Sequence, residues 1–281
     1  MSAPSRLARW RNPLLNTAGI LVTLVFLFPL YWIVVSSIKT NAEIFQIHQS
    51  FWPASPSLVA YSDQLKGELN IVRPFFNSMI IACGTMVLSM CLAIPAAYGL
   101  ARFELRGKKS IIMGFLVTQM LPPTLILTPL YLIFARGGLI NSYFAPIIAD
   151  STIAIPFIIL FLRTYFIGLP RSLEDAARVD GCTRFSSFLR IILPISAPGI
   201  VTALSFSFIF AWNDLIYAMT YMNQTSMRPM TAGIYNFMSK YGIEWNRIMA
   251  YGVVLVLPVI LIFVILQKYI ISGMTNGAVK G

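Results

Sequence analysis

The sequence predicts an all-α, polytopic membrane fold with about six transmembrane helices. Three observations point there. Of the 281 residues, 57% are hydrophobic and 11% charged, and the mean hydropathy is +0.75; a soluble domain carries roughly a quarter charged residues. The charges avoid several stretches long enough to span a bilayer, for which about 20 apolar residues suffice. The basic residues are also shared unevenly between the connecting loops, as topology requires.

The apolar stretches are residues 14–38, 75–100, 111–134, 140–162, 195–222 and 248–271. The first follows Arg11, is longer than a signal-peptide core, and has no small-residue cleavage site after it, so it reads as a retained helix. The fourth and fifth each hold one acid, Asp150 and Asp214; the sixth carries Lys268 near its end, where a long side chain can snorkel. Pro29, Pro95, Pro122, Pro123, Pro129, Pro156 and Pro258 fall inside spans, which is tolerated where neighbouring helices satisfy the freed backbone groups. Placing both termini in the cytoplasm puts fourteen of the 21 Lys and Arg residues inside and seven outside. The net charge of +11 is therefore a topology signal, not a nucleic-acid-binding one.

One membrane domain, residues 1–281, is expected, without a soluble module. Cys83 and Cys91, about 12 Å apart along one helix, cannot bridge, and Cys182 falls in a predicted cytoplasmic, reducing loop. The sole histidine, His48, lies in the outer loop 39–73, where Trp52-Pro53 and Ser55-Pro56-Ser57 read as turns. No metal-ligand spacing and no catalytic constellation is found.

The cytoplasmic loop 164–194 is long, charged and helical in pattern. Ser172 can cap a helix with Asp175 as the reciprocal partner of a capping box, and Glu174 and Asp175 suit the positive end of its dipole. Ala176, Ala177 and Val179 continue it, and Gly181 supplies a left-handed stop. Thr183 can cap a second helix carrying Phe185, Phe188, Leu189 and Ile192, which Pro194 ends. The physics alone leaves two readings open: a docking element with small residues for close approach, or an amphipathic hairpin on lipid headgroups.

The loop resembles the coupling-loop motif of ABC importer permeases, Glu-Ala-Ala-x3-Gly-x9-Ile-x-Leu-Pro: Ala176, Ala177, Gly181, Ile191, Leu193 and Pro194 are in register, with Asp175 at the Glu position and Glu174 before it. Further segments resemble maltose-type sugar permeases in order along the chain. These are Ser36 to Phe45, Asn77-Ser78, Ala96 to Phe103, Trp212-Asn213-Asp214 and the tail from Gly273 to Gly281. The resemblance implies the type I ABC importer permease fold and a role as one permease subunit of a binding-protein-dependent carbohydrate importer. It implies that Glu174, Asp175, Ala176, Ala177, Asp180 and Gly181 couple to an ATPase, and that the tail can reach between ATPases. The implied partners are a second permease in a heterodimer, two ATPase subunits and an extracytoplasmic sugar-binding protein, in the bacterial cytoplasmic membrane. No phosphate-binding loop is present, since Gly107-Lys-Lys-Ser110 lacks the first glycine. The chain is thus expected to bind no cofactor and to be no enzyme by itself, with ATP and Mg held by the partner ATPases.

For the substrate pathway, Trp212, Asn213, Asp214 and Tyr217 are candidates, with Phe206 and Phe210 along a similar stripe. Helix–helix glue is the competing role. Thr118 and Gln119, near the Pro122-Pro123 break, are second candidates, and Asp150-Ser151-Thr152 either lines the path or caps a broken fourth helix. A secondary transporter would show two related halves with ionisable residues at mid-membrane, whereas this chain has six spans, few buried charges and no visible halves. An ABC permease for another cargo is the nearer alternative.

Overall fold

The computed structural model describes residues 6–66, 70–239 and 242–278. It is helical almost throughout. The helices are α1 (Arg6–Ser37), α2 (Asn41–Ile44), α3 (Val59–Lys66), α4 (Val72–Arg102), α5 (Lys108–Met120), α6 (Thr124–Arg136) and α7 (Phe144–Gly168). They continue as α8 (Ser172–Val179), α9 (Arg184–Ser187), α10 (Leu193–Ile195), α11 (Ala197–Trp212), α12 (Ile216–Tyr221), α13 (Met230–Gly233) and α14 (Trp245–Ala278). Two-residue strands, β1 (Met238–Ser239) and β2 (Gly242–Ile243), pair antiparallel.

Among the described residues, four helices are long and apolar enough to cross a membrane: Leu15–Ser37, Val72–Arg102, Phe144–Gly168 and Trp245–Tyr269. Two bent helix pairs, Lys108–Met120 with Thr124–Arg136 and Arg184–Ile195 with Ala197–Trp212, bring the number to six where each is one broken span. The predicted third span is α5 and α6, meeting at 99°. Pro122 and Pro123 have no N–H to continue the ladder, so the helix stops at Met120 and restarts at Thr124. The predicted fifth span is interrupted at Asn213–Leu215, so α11 and α12 are separate helices. The fourth helix, in contrast, is continuous through Asp150, Ser151 and Thr152, and these residues cap nothing. Ser151 and Thr152 return their hydroxyls to the carbonyls of Ile147 and Ala149 within the helix.

Residue contacts divide the chain into two compact units, residues 1–70 with 234–256, and residues 71–233 with 257–281. In the first, the Ser36 to Phe45 segment organises the loop that follows α1. Lys39, 2% exposed, donates to the Ser50 carbonyl (2.5 Å) and lies 4.9 Å from the Trp32 ring. Thr40 caps α2, and the Glu43 carboxylate accepts from Ser50 and from the Ala54 N–H (2.7 Å). Asn41 accepts from the Asn246 N–H, and Arg247 pairs with Asp63 and Glu244 at 2.8 Å. His48 is exposed.

The second unit is built on α4 and α7. Small residues let them approach: Ala82, Ala93 and Ala97 on one, Ala145, Ala149 and Ala154 on the other, all buried. Ser89 donates to Ser151 across the pair (3.3 Å). Near the start of α4, Asn77 accepts from the Tyr143 hydroxyl (2.7 Å) and donates to the carbonyls of Ser226 and Arg228, while Ser78 accepts from the Met230 N–H. The Asn77-Ser78 pair thus pins the segment after α12 to α4. The tail beyond Ala278 lies outside the described residues.

Candidate functional site: a pinned hairpin and a membrane cavity

The predicted helix–turn–helix forms between the membrane helices. Its first cap differs from expectation. Arg171 is already helical (φ −65°, ψ −27°), and its carbonyl accepts from the N–H groups of Glu174 and Asp175. Ser172 is therefore inside the first turn, where its hydroxyl cannot take a third-residue N–H, and no capping box exists. The far end closes as predicted. Gly181 has φ +85°; Cys182 N–H donates to the Ala177 carbonyl and Gly181 N–H to that of Arg178. This is the complete Schellman pattern. Thr183 then caps α9 by accepting from the Ser186 N–H at 3.1 Å.

Pro194 does not end the second helix. A π-helical turn over Phe188–Ile192 precedes it, with the Leu193 N–H reaching back to the Phe188 carbonyl, and the helix continues through Pro194 to Ile195. The wider turn accommodates the residue that cannot donate. The sharp turn comes later: Arg184–Ile195 meets α11 at 75°. Gly199 permits it, because a Cβ there would lie 2.7–2.9 Å from the Tyr165 ring.

The hairpin is fastened to the end of α4. Glu174 forms an ion pair with Arg102 Nε (2.5 Å) and accepts from the Tyr98 hydroxyl (3.0 Å), and a second Arg102 nitrogen donates to the Leu169 carbonyl. The Phe188 ring lies 4.4 Å from that of Tyr98, tilted by 34°, Ile192 is fully buried beside it, and Arg184 lies over Phe103 at 5.8 Å. The two predicted acids therefore face opposite ways. Glu174 is turned into the protein, while Asp175 is exposed, with Ala176, Asp180 and Gly181. Ala177, 2% exposed, packs inward. Val179 (87% exposed) and Phe185 (69%) leave an apolar tip facing outward. Tyr98 and Arg102 were not among the predicted site residues; they sit in the Ala96 to Phe103 stretch picked out by resemblance alone.

A cavity of about 790 Å³ opens within the second unit. It brings together the predicted Gln119, Asn213, Asp214 and Tyr217, and the Phe206 and Phe210 stripe, against an α7 wall of Ile153, Ala154, Phe157 and Ile158 that sequence reading missed. Two candidates fall elsewhere. Trp212 is buried between Phe75 (5.7 Å) and Phe208 (5.6 Å), because α11 turns that face to α4. Thr118 gives its hydroxyl to the Phe115 carbonyl and does not line the cavity. Asp214 lines it while also capping α12, accepting from the N–H groups of Tyr217 (3.2 Å) and Ala218 (2.9 Å). Gln119 donates to the Ile153 carbonyl. Rings, an amide pair and one carboxylate around such a volume suit a polar solute with apolar faces.

A family model described as "binding-protein-dependent transport system inner membrane component" matches residues 89–276. A probable ABC transporter permease protein of Bacillus subtilis, YurM, is 35% identical, covering 90% of this chain and 84% of the relative. The trehalose transport system permease protein SugB of Mycobacterium tuberculosis is 34% identical over 91% of this chain and 93% of its own. The fold is similar to that of a chain in the crystal structure of a bacterial ABC transporter that imports the acidic polysaccharide alginate. The TM-score is 0.79, with 22% identity and coverage of 96% of this chain and 100% of that one. The matched segment contains α7, the hairpin and the cavity, and the chain belongs to the family of binding-protein-dependent transport system inner membrane components.

Proposed function

We propose that this chain is one of two permease subunits in an ATP-driven carbohydrate importer of the bacterial inner membrane, with both termini in the cytoplasm. The reading rests on the hairpin. It exposes an acid and an apolar tip, Asp175, Val179 and Phe185, on a base locked to α4 by a buried ion pair. A surface that is both sticky and rigidly mounted can transmit force from a docked ATPase; a hairpin resting on lipid has no use for the mounting. Two ATPase subunits, holding ATP and Mg, would clamp this hairpin and its counterpart on the second permease, turning the cavity outward to take cargo from an extracytoplasmic binding protein. Residues 1–281 would work as one permease domain. Carbohydrate as cargo follows from the trehalose and alginate relatives and from the ring-lined, hydrogen-bonding cavity.

The test is made on the assembled complex. Asp175→Ala removes the exposed charge, and Gly181→Ala forces a Cβ into a left-handed conformation at a cost of about 1–2 kcal/mol. Each is expected to lower binding-protein-stimulated ATP hydrolysis roughly tenfold while the permease pair stays assembled. Unchanged hydrolysis and unchanged ATPase co-purification in both variants would remove the hairpin from the coupling path and leave the lipid-surface role.

A further inference from the structure

Asp150 sits in the second turn of α7, 0% exposed, and neither carboxylate oxygen has a hydrogen-bond partner. An orphaned buried carboxyl is costly and is kept where another state of the protein supplies its partner. Its position says which state. Residues 150, 153, 154 and 157 recur at the spacing of one helix face, and Ile153, Ala154 and Phe157 line the cavity. Asp150 therefore continues the cavity wall one turn toward the outer end, beyond the point where the cavity stops. The start of α12 packs beside this stretch, with Tyr217 and Tyr221 clustered against Ala149 and Ile153. Tyr217 and Asp214 both line the cavity, and both lie within charge-interaction range of Asp150.

α12 is tied to α6 beside two backbone breaks. The Tyr217 hydroxyl donates to the Pro123 carbonyl (3.2 Å) and that of Tyr221 to the Leu127 carbonyl (3.0 Å), so α12 is strapped to α6. Each of these helices is separated from the helix before it by a backbone break, at residues 121–123 and at 213–215, and the Tyr217–Pro123 bond sets the two breaks side by side. A strapped pair with adjacent breaks can swing as one body, with few dihedrals changing.

We propose that α6 and α12 move together in the outward-facing state and uncover Asp150, whose two oxygens then accept hydrogen bonds from hydroxyl groups of the cargo. This inference rests on the importer reading above. A carboxylate is a strong acceptor for hydroxyl donors and has no donor of its own, so the site favours polyhydroxylated solutes and leaves a group lacking hydroxyls unmatched.

The experiment uses the complete transporter, with its partner subunits and binding protein, in proteoliposomes. Asp150→Cys is placed in a background where Cys83, Cys91 and Cys182 are serine. The probe is a small methanethiosulfonate ammonium reagent, applied without nucleotide and after trapping with ATP and vanadate. At least tenfold faster labelling in the trapped state is expected. Equal, slow labelling in both states, with ATPase activity shown to be trapped, overturns the proposal while leaving the importer reading intact. Failure of the parent complex to couple ATP hydrolysis to the binding protein would instead overturn both. As a second readout, Asp150→Asn is expected to keep part of the sugar uptake and Asp150→Leu to lose it by tenfold or more. Leucine matching the wild type removes Asp150 from the cargo path.

Discussion

Replacing Glu174 with alanine is expected to destabilise the hairpin and uncouple it from the membrane helices more than any change at its exposed tip. The Arg102 side chain is 6% exposed and that of Glu174 18%. Removing one partner leaves the other buried and unpaired, a cost of about 3–5 kcal/mol. The Tyr98 hydroxyl loses its acceptor at the same time. Arg102→Ala should cost as much and also free the Leu169 carbonyl at the entrance to the hairpin. The double variant Arg102→Met with Glu174→Leu removes both charges and is expected to recover much of the stability, because apolar replacement of a buried pair is often neutral. Thermal melting of the purified permease pair and ATP-driven uptake measure the two consequences separately. The expected coupling energy is about 1–3 kcal/mol; single-variant effects that simply add would show that the ion pair does not act as a unit. Recovery of melting without recovery of uptake would mean that the mounting needs the charges themselves, beyond a filled volume.

The second large effect is expected at Gly199. A β-carbon there meets three atoms of the Tyr165 ring at 2.7–2.9 Å, and a ring cannot give way as an aliphatic tip can. Gly199→Val should cost about 1–3 kcal/mol by overpacking and push the first turn of α11 off α7. The contrast is Gly84, whose β-carbon would meet the end of the Ile147 side chain; Gly84→Ala is expected to be mild because Ile147 can change rotamer. Melting temperatures of the two variants settle the comparison, and Tyr165→Leu should relieve Gly199→Val if the ring is the obstacle. Equal melting for the Gly199 and Gly84 variants would refute the assigned clash.

Much of this was readable in the chain, and the exceptions have common causes. The Gly181 stop and the Thr183 cap depend on a single residue's conformational range or hydroxyl, so local chemistry decided them. Ser172 failed as a cap because the preceding Arg171 had already entered the helix, and helix entry is set by packing of the Pro170–Arg171 turn as much as by the best available hydroxyl. Pro194 failed as a stop because a widened turn can absorb a missing donor, which a rule built on α-helical ladders does not anticipate. The paired prolines after Met120 promised an interruption, but its 99° angle is a property of tertiary packing. In the cavity, Asn213, Asp214 and Tyr217 could be grouped by periodicity. Trp212 shares their segment and points to α4, because the break at Asn213 resets the helical phase on which that grouping depended. The Ile153 to Ile158 wall carries no polar signature, and Tyr98 and Arg102 became visible only when Glu174 was seen to reach them.

The widened turn at Phe188–Ile192 bears on how this chain tolerates change in length. A π turn holds one residue more than the α turn it replaces, so the segments on either side are out of phase by about 100° compared with an unbroken helix. The direction in which the tip points is therefore set by a count of residues between Gly181 and Pro194. Substitutions there leave the count alone. Deleting one residue would let the segment relax to regular α-helix and rotate the tip by about a quarter turn, with every other side chain retained. Insertion or deletion scanning of this segment should thus be far more damaging to coupled transport than alanine scanning of the same exposed positions.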